Sequence, residues 1–186
     1  EKKLNKALGI YVNKVAFQEP PYTTSIDLVN HVKEVVPDSL SYIIKDMFET
    51  ITLYQNRIVS TESKKLENGK YQVDIEFKVS KYRNDEKGKI FYGNEKRDSI
   101  SYKNEKMKKP DYSVYLSDYI DVGIFGKDNE DKEVELYLKK HKINSIHNKI
   151  SIITDNEPIE VGIDPYNKLI DTNSEDNRKK IKEEIL

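Results

Sequence analysis

The segment YQVDIEFKVS at residues 71–80 decides the fold of the larger part of this chain. Large apolar side chains alternate with polar ones along it, and a period of two is typical of a β-strand with one buried face. Asn68-Gly69 stands just before this segment, and such a dipeptide is typical of a tight hairpin turn. We therefore predict a β-hairpin whose first strand covers about residues 57–64.

Further short strands are predicted towards the C-terminus. They lie at residues 120–124, 134–138, 150–152 and 159–163. Turn-forming residues separate them at 126–129 and 154–158. Several short strands with turns between them favour an antiparallel β-sandwich, immunoglobulin-like (Ig-like), over a parallel sheet. The sandwich is predicted to cover residues 57–170.

Residues 1–56 follow a helical period instead. One apolar stripe is formed by Leu4, Ala7, Leu8, Tyr11, Val12 and Val15. Pro20-Pro21 ends this helix, and Thr24 or Ser25 begins a second one. A third helix is predicted to bury Leu40, Ile43, Ile44, Met47, Phe48 and Ile51. The predicted fold class is therefore α+β, with about three helices followed by the sandwich.

Two further segments have weak patterns. Residues 83–117 are rich in Lys, Asn, Asp and Tyr, which predicts a protruding hairpin or a partly disordered insertion. The alternative for this insertion is a contact loop for a partner, since exposed aromatic side chains suit recognition. Its anchors would be Tyr92, Tyr102, Tyr112 and Tyr115. Residues 171–186 are predicted to form a tail or a charged helix that begins at Ser174.

Composition excludes several classes of function. The 186 residues include 32 basic and 33 acidic side chains, and a net charge of −1 does not favour nucleic acid as a partner. No apolar run approaches the roughly 18 residues of a membrane span, so we expect no membrane contact by this chain. The absence of Cys excludes disulfides and thiol chemistry. Because the first residues already follow a helical pattern, we expect a soluble fragment of a larger protein.

No catalytic or metal site is predicted in this chain. The zinc motif H-E-x-x-H is absent, and His141 and His147 are predicted to be solvated histidines among lysines. There is no G-x-S-x-G motif and no glycine-rich phosphate loop. The segment 171–177 matches the first two ligand positions of an EF-hand calcium loop but lacks its Gly and closing Glu. Turns and a helix cap account for the same residues.

Two segments resemble one known family. Residues 158–177, PIEVGIDPYNKLIDTNSEDN, resemble the closing strand and turn of the C-terminal β-domain in bacterial membrane-associated metallopeptidases of the M1 family. Residues 17–25, FQEPPYTTS, resemble a helix-linking segment of the same family. The blocks DVGIFG at 121–126 and ELYLKKHKI at 135–143 resemble middle strands of that domain. The resemblance extends to members that are fused to an ABC-transporter-like permease.

The resemblance implies a non-catalytic accessory domain of an aminopeptidase-like hydrolase. This domain would pack against the zinc-bearing domain upstream of residue 1 and help to shape the cleft for a peptide substrate. Zinc is then expected in the parent protein, in a bacterial membrane-associated setting, and no cofactor is expected in this chain. Whether the parent is an active enzyme stays open. The alternative is a free-standing β-sandwich module that binds protein or glycan through the 83–117 loop.

Overall fold

The computed structural model describes residues 2–92 and 114–181, with the exception of the Tyr92 side chain. The chain divides into two compact units, and the boundary lies between Ile51 and Thr52. The first unit is helical, and the second consists of β-strands with short turns. The structure is therefore α+β with antiparallel sheets. None of the helices in the described ranges has the length and apolarity needed to cross a bilayer.

The helical unit contains α1, α2 and a short third helix. Helix α1 covers Lys2–Val15 and α2 covers Ser25–Val35. A 3₁₀ turn at Asp38–Leu40 leads into α3, Ser41–Ile44, which continues as one π-helical turn at Lys45–Glu49. Thr24 caps α2 as the sequence predicts. Its side chain accepts a hydrogen bond from the Asp27 backbone N–H, and the Asp27 carboxylate accepts one from the Thr24 N–H at 2.7 Å.

The third helix does not bury the residues predicted for it. Ile44 is buried, but Met47, Phe48 and Ile51 are exposed. The regular α-helical period ends at Ile44, because the π-helical turn shifts hydrogen bonding from i→i+4 to i→i+5 and moves later side chains off the buried face. Strand β1 already begins at Ile51. The prediction of a buried helical stripe is therefore wrong beyond Ile44.

Within the described residues, the β unit has eight strands. In chain order they are β1 Ile51–Lys65, β2 Tyr71–Asn84, β3 Ile90–Tyr92, β4 Asp118–Lys127, β5 Glu133–Ile143, β6 His147–Thr154, β7 Glu160–Ile163 and β8 Arg178–Lys180. In the first sheet, β1, β3 and β6 all pair with β2. The second sheet has the order β5-β4-β7-β8. The predicted strands at 71–79, 120–124, 134–138, 150–152 and 159–163 are confirmed.

A hydrophobic core joins side chains from both sheets. The first sheet contributes Ile58, Val73, Ile75, Phe77 and Val79. The second contributes Ile120, Val122, Ile124, Ile143, Val161 and Ile163. The alternation along β2 thus places its apolar side chains where the sequence predicts.

The C-terminal segment and the insertion add short strands. Residues Ser174–Asp176 form a 3₁₀ turn, and Arg178–Lys180 pair with β7 instead of forming a helix. The open edge of β7 offers backbone hydrogen-bond partners to this segment. The charged side chains of the segment are tolerated because it forms an edge strand. Within the insertion, Ile90–Tyr92 pair with the end of β2 after a tight turn at 85–89.

Candidate functional site

The helical unit has an unusual share of exposed apolar side chains, which we call the exposed apolar set. Its members are Leu4, Ile10, Val12, Phe17, Tyr22, Ile26, Met47, Phe48 and Ile51. Among the described residues of this unit, the fully buried apolar side chains are those of Ala7, Val32 and Ile44. Where exposed apolar side chains form a contiguous patch, they mark a surface that docks onto another protein, and this set supplies side chains for such a patch.

Part of the predicted stripe of α1 packs against α2. His31 of α2 lies 2.9 Å from the Ala7 carbonyl oxygen through its Nε2, and its ring is 5.3 Å from the Tyr11 ring. The Tyr11 hydroxyl also lies 2.7 Å from the Thr23 Oγ1. These contacts hold α1 and α2 together with little apolar burial. Val12, predicted in the stripe, is exposed.

The core of the β unit becomes polar at one end. The core-facing side of β2 continues beyond Val79 with Lys81 and Arg83, both of which are buried. The Lys81 Nζ donates to both carboxylate oxygens of Asp118, at 3.0 and 3.1 Å. The Tyr54 hydroxyl donates to the same carboxylate at 3.2 Å. Burial of this ion pair makes it a structural element, since it is closed to an external substrate.

Sequence reasoning missed this polar cluster. Lys81 is only 1% exposed, and charged residues are rarely buried unless they are paired. The period of two along β2, continued past Val79, was the one signal that pointed to it. Arg83 Nε donates to the Thr52 Oγ1 at 3.4 Å in the same region.

Asp121, a buried acid on the other face of β4, is also held by lysines. Lys168 donates to its carboxylate at 2.8 Å and Lys140 at 3.3 Å. Burial raises the pKa of Asp121, but the hydrogen bonds from Lys168 and Lys140 outweigh it and hold the pKa below its ordinary value. A carboxylate held ionised by two lysines is unsuited to general acid catalysis.

The opposite face of the second sheet is covered by an aromatic and ionic layer. Gly123 and Gly162 are direct partners on β4 and β7. The space above them is filled by the Phe125 ring and by Pro165. The Arg178 guanidinium lies 4.1 Å from the centre of the Phe125 ring, and its Nη2 is 2.6 Å from a carboxylate oxygen of Glu133 and of Glu160. This layer seals the face of the sheet.

The histidines do not form a metal site. His141 pairs with Ile120 in the second sheet, whereas His147 pairs with Lys78 in the first. The His141 Nε2 lies 2.8 Å from the Tyr137 hydroxyl, and burial, followed by the charge of Lys139, lowers the pKa of His141. His147 is exposed as predicted, but His141 is half-buried, so the prediction of a solvated histidine is wrong for His141. Across residues 2–92 and 114–181, no group of three or more His, Cys, Asp or Glu side chains is placed to hold a metal.

The four predicted tyrosine anchors are only partly described. Tyr115 is exposed, and Tyr92 lies in β3. Tyr102 and Tyr112 lie outside the described residues. The contact-loop hypothesis for residues 83–117 therefore stays a prediction.

Comparison with known proteins gives no match to this chain among family models, curated proteins or solved structures.

Proposed function

We propose that this chain is a non-catalytic accessory part of an M1-family, aminopeptidase-like metallopeptidase. The helical unit packs against the zinc-bearing domain of that protein through the exposed apolar set and helps to shape its peptide cleft. The observation that carries this proposal is the excess of exposed over buried apolar side chains in the helical unit, nine against three among its described residues. Residues 17–25, which resemble the peptidase family, contain two members of the set, Phe17 and Tyr22.

The side-chain contacts of the buried acids and of His141, within the described residues, support an accessory role. The buried carboxylates Asp118 and Asp121 are each held by lysine side chains. His141 is held at the Tyr137 hydroxyl. On this proposal the zinc, its ligands and the general base all belong to the partner domain, and the parent protein is associated with a bacterial membrane through a permease-like region.

We further propose that the two antiparallel sheets form an Ig-like β-sandwich. Support comes from the one core cluster to which both sheets contribute side chains. A fold of this kind does not by itself specify a chemistry, so it is compatible with an accessory role.

The test measures hydrolysis of amino-acid anilides and binding to the zinc-bearing domain. This chain is expected to show no turnover alone, and to bind the separately produced zinc domain and change its turnover. Ile26→Glu in the exposed apolar set should weaken that binding. Ile153→Glu is the matched control, since Ile153 is similarly exposed but lies on β6 of the other unit.

Three results would overturn the proposal. Zinc-dependent turnover by this chain alone would make it an enzyme. Failure of the chain to bind the zinc domain would remove the accessory role and favour the free-standing binding module. Equal loss of binding in Ile26→Glu and Ile153→Glu would show that the helical unit does not form the docking surface.

A further inference from the structure

Strand β5 is an edge strand of the second sheet. It pairs with β4 on one side, and no other strand within the described residues pairs with its second side. At 11 residues, Glu133–Ile143, it is long for an edge strand. The unpaired N–H and C=O groups along such an edge are a template on which another extended chain can pair.

The hydrogen bonds of β4 show which residues of β5 point outward. The Ile159 N–H donates to the Phe125 carbonyl oxygen at 2.8 Å, and the Asp164 N–H donates to the Asp121 carbonyl oxygen at 2.7 Å. The odd-numbered residues of β4 therefore bond towards β7 and the even-numbered ones towards β5, because the two sides alternate along a strand. Residues of β5 that pair with the odd-numbered ones direct their own N–H and C=O groups away from the sheet. They are Glu133, Glu135, Leu138, Lys140 and Lys142.

The charges at these outward positions are symmetric in place and opposite in sign about Leu138. The two lysines pair with residues two and four positions before Gly123, the partner of Leu138, and the two acids pair with residues two and four positions after it. This symmetry depends on the β-bulge, since Leu136 pairs with no residue of β4 and one position is skipped there. A second copy of β5, laid antiparallel with Leu138 opposite Leu138, would place each lysine opposite an acid.

The four charged side chains lie on one face of the sheet, since all of them pair with odd-numbered residues of β4. Lys140 and Glu133 each have an ion-pair partner on their own chain, yet their side chains are still 58% and 47% exposed. Glu135 accepts a hydrogen bond from the Tyr166 hydroxyl and is exposed. Lys142 is exposed and has no ion-pair partner within the described residues. All four can therefore be reached by a second chain.

We propose that this chain forms a symmetric homodimer in which two copies of β5 pair antiparallel about Leu138 and join their second sheets into one. Each copy would contribute one Lys140–Glu135 and one Lys142–Glu133 pair, and opposite charges directly across two strands stabilise a sheet. Parallel pairing in register would set lysines against lysines and acids against acids, so the same charges oppose it. Strand β6 also carries a lysine but has no acid, so it lacks this self-complementarity.

The experiment measures the molar mass of the purified chain by sedimentation velocity, up to millimolar protein and at low and high sodium chloride. We expect a monomer–dimer equilibrium that shifts towards the monomer as salt is added, because salt screens exposed charge pairs. A dimer held by the exposed apolar set of the helical unit would not weaken in this way, since apolar burial does not depend on charge.

Charge reversal at one lysine tests the register. Lys142→Glu turns both Lys142–Glu133 pairs of the dimer into like-charge pairs, so we expect the dissociation constant to rise at least about ten-fold. Lys139→Glu is the matched control, since it makes the same charge change on the same strand. Lys139 pairs with Val122 on the core-facing side of the sheet, where the proposed register sets no acid opposite it, so the dimer should persist.

A backbone variant tests the strand pairing itself. Leu138→Pro removes the central outward N–H and spares the hydrogen bonds to β4, and proline is tolerated on an edge strand where its position faces solvent. It should abolish the dimer while circular dichroism shows an unchanged fold. If Leu138→Pro does not fold, Lys142→Glu still decides the outcome.

Three results would overturn the proposal. The natural chain could stay monomeric at millimolar concentration in low salt. Lys142→Glu and Lys139→Glu could weaken the dimer equally, which would show a general effect of net charge. Ile26→Glu could abolish the dimer while Lys142→Glu leaves it unchanged, which would assign self-association to the helical unit. None of these results decides the accessory role, which is judged by binding to the zinc-bearing domain.

Discussion

Replacement of Gly123 by Ala is expected to destabilise the β unit by about 1–3 kcal/mol, the range for overpacking a well-packed interior. A Cβ at this position would lie 2.8 and 2.9 Å from two ring carbons of Phe125 and 3.1 Å from the Cγ of Pro165. The Phe125 ring is fully buried, and the Arg178 guanidinium stacks on it at 4.1 Å. The ring therefore cannot move aside without breaking that contact.

The matched control is the same substitution in open space. Gly9 lies in α1, and nothing lies within 4 Å of a Cβ added there. Gly9→Ala should stabilise the helical unit by about 1 kcal/mol, because Ala is the better helix former. Free energies of unfolding from urea titrations followed by circular dichroism measure both effects.

A substitution at Gly162 tests whether the stability losses at the neighbouring positions 123 and 162 depend on each other. A Cβ at Gly162 would lie 2.8 Å from the Cβ of Pro165, so both substitutions press on the same proline. We expect the double variant of Gly123 and Gly162 to cost less than the sum of the single variants, since one displacement of Pro165 relieves part of both clashes. Stability of Gly123→Ala equal to that of the natural chain would refute the reasoning about the sealed face.

Two further predictions separate buried from exposed side chains. Phe77→Ala should lower the free energy of unfolding in urea by about 3–5 kcal/mol, because Phe77 is 1% exposed. Phe48→Ala should lower it by under about 1 kcal/mol, because Phe48 is 48% exposed. Equal losses of stability would contradict the exposed placement of Phe48. For His141, the pKa in the folded chain lies below its ordinary value of 6.5, so the unfolded chain takes up the proton first as the pH drops. Stability therefore falls as the pH drops from 6.5 to the folded pKa. His141→Gln should remove this part of the pH dependence of the urea midpoint, whereas His147→Gln, the control, should keep it. An unchanged pH dependence in His141→Gln would contradict a lowered pKa of His141.

The β-strands could be predicted because their signals are local. The alternation at residues 71–79 and the Asn68-Gly69 turn specify a hairpin without knowledge of its neighbours, and the structure has both. The burial of Lys81 could not be predicted in the same way. It depends on Asp118, which is 37 positions away and reaches Lys81 only once β2 and β4 are placed.

Two further predictions, for the C-terminal segment and for the third helix, are wrong because the local sequence pattern does not show what determines the structure there. Residues 178–180, Arg-Lys-Lys, carry no strand pattern of their own and become a strand because β7 offers an open edge. The third helix ends early because a π-helical turn breaks its period after Ile44, which the spacing of apolar residues does not reveal.

The two units differ in how they use their apolar residues, and this difference supports the partner proposal. The β unit places many of its large apolar side chains in a core shared by both sheets. The helical unit carries apolar residues at helical spacing as well, yet among its described residues nine large ones are exposed and only two, Val32 and Ile44, are fully buried. Burial of apolar surface is the main favourable term in folding and association, so side chains left exposed in such number are available to stabilise a complex. A helical unit of this composition is therefore expected to be most stable when another protein surface covers it.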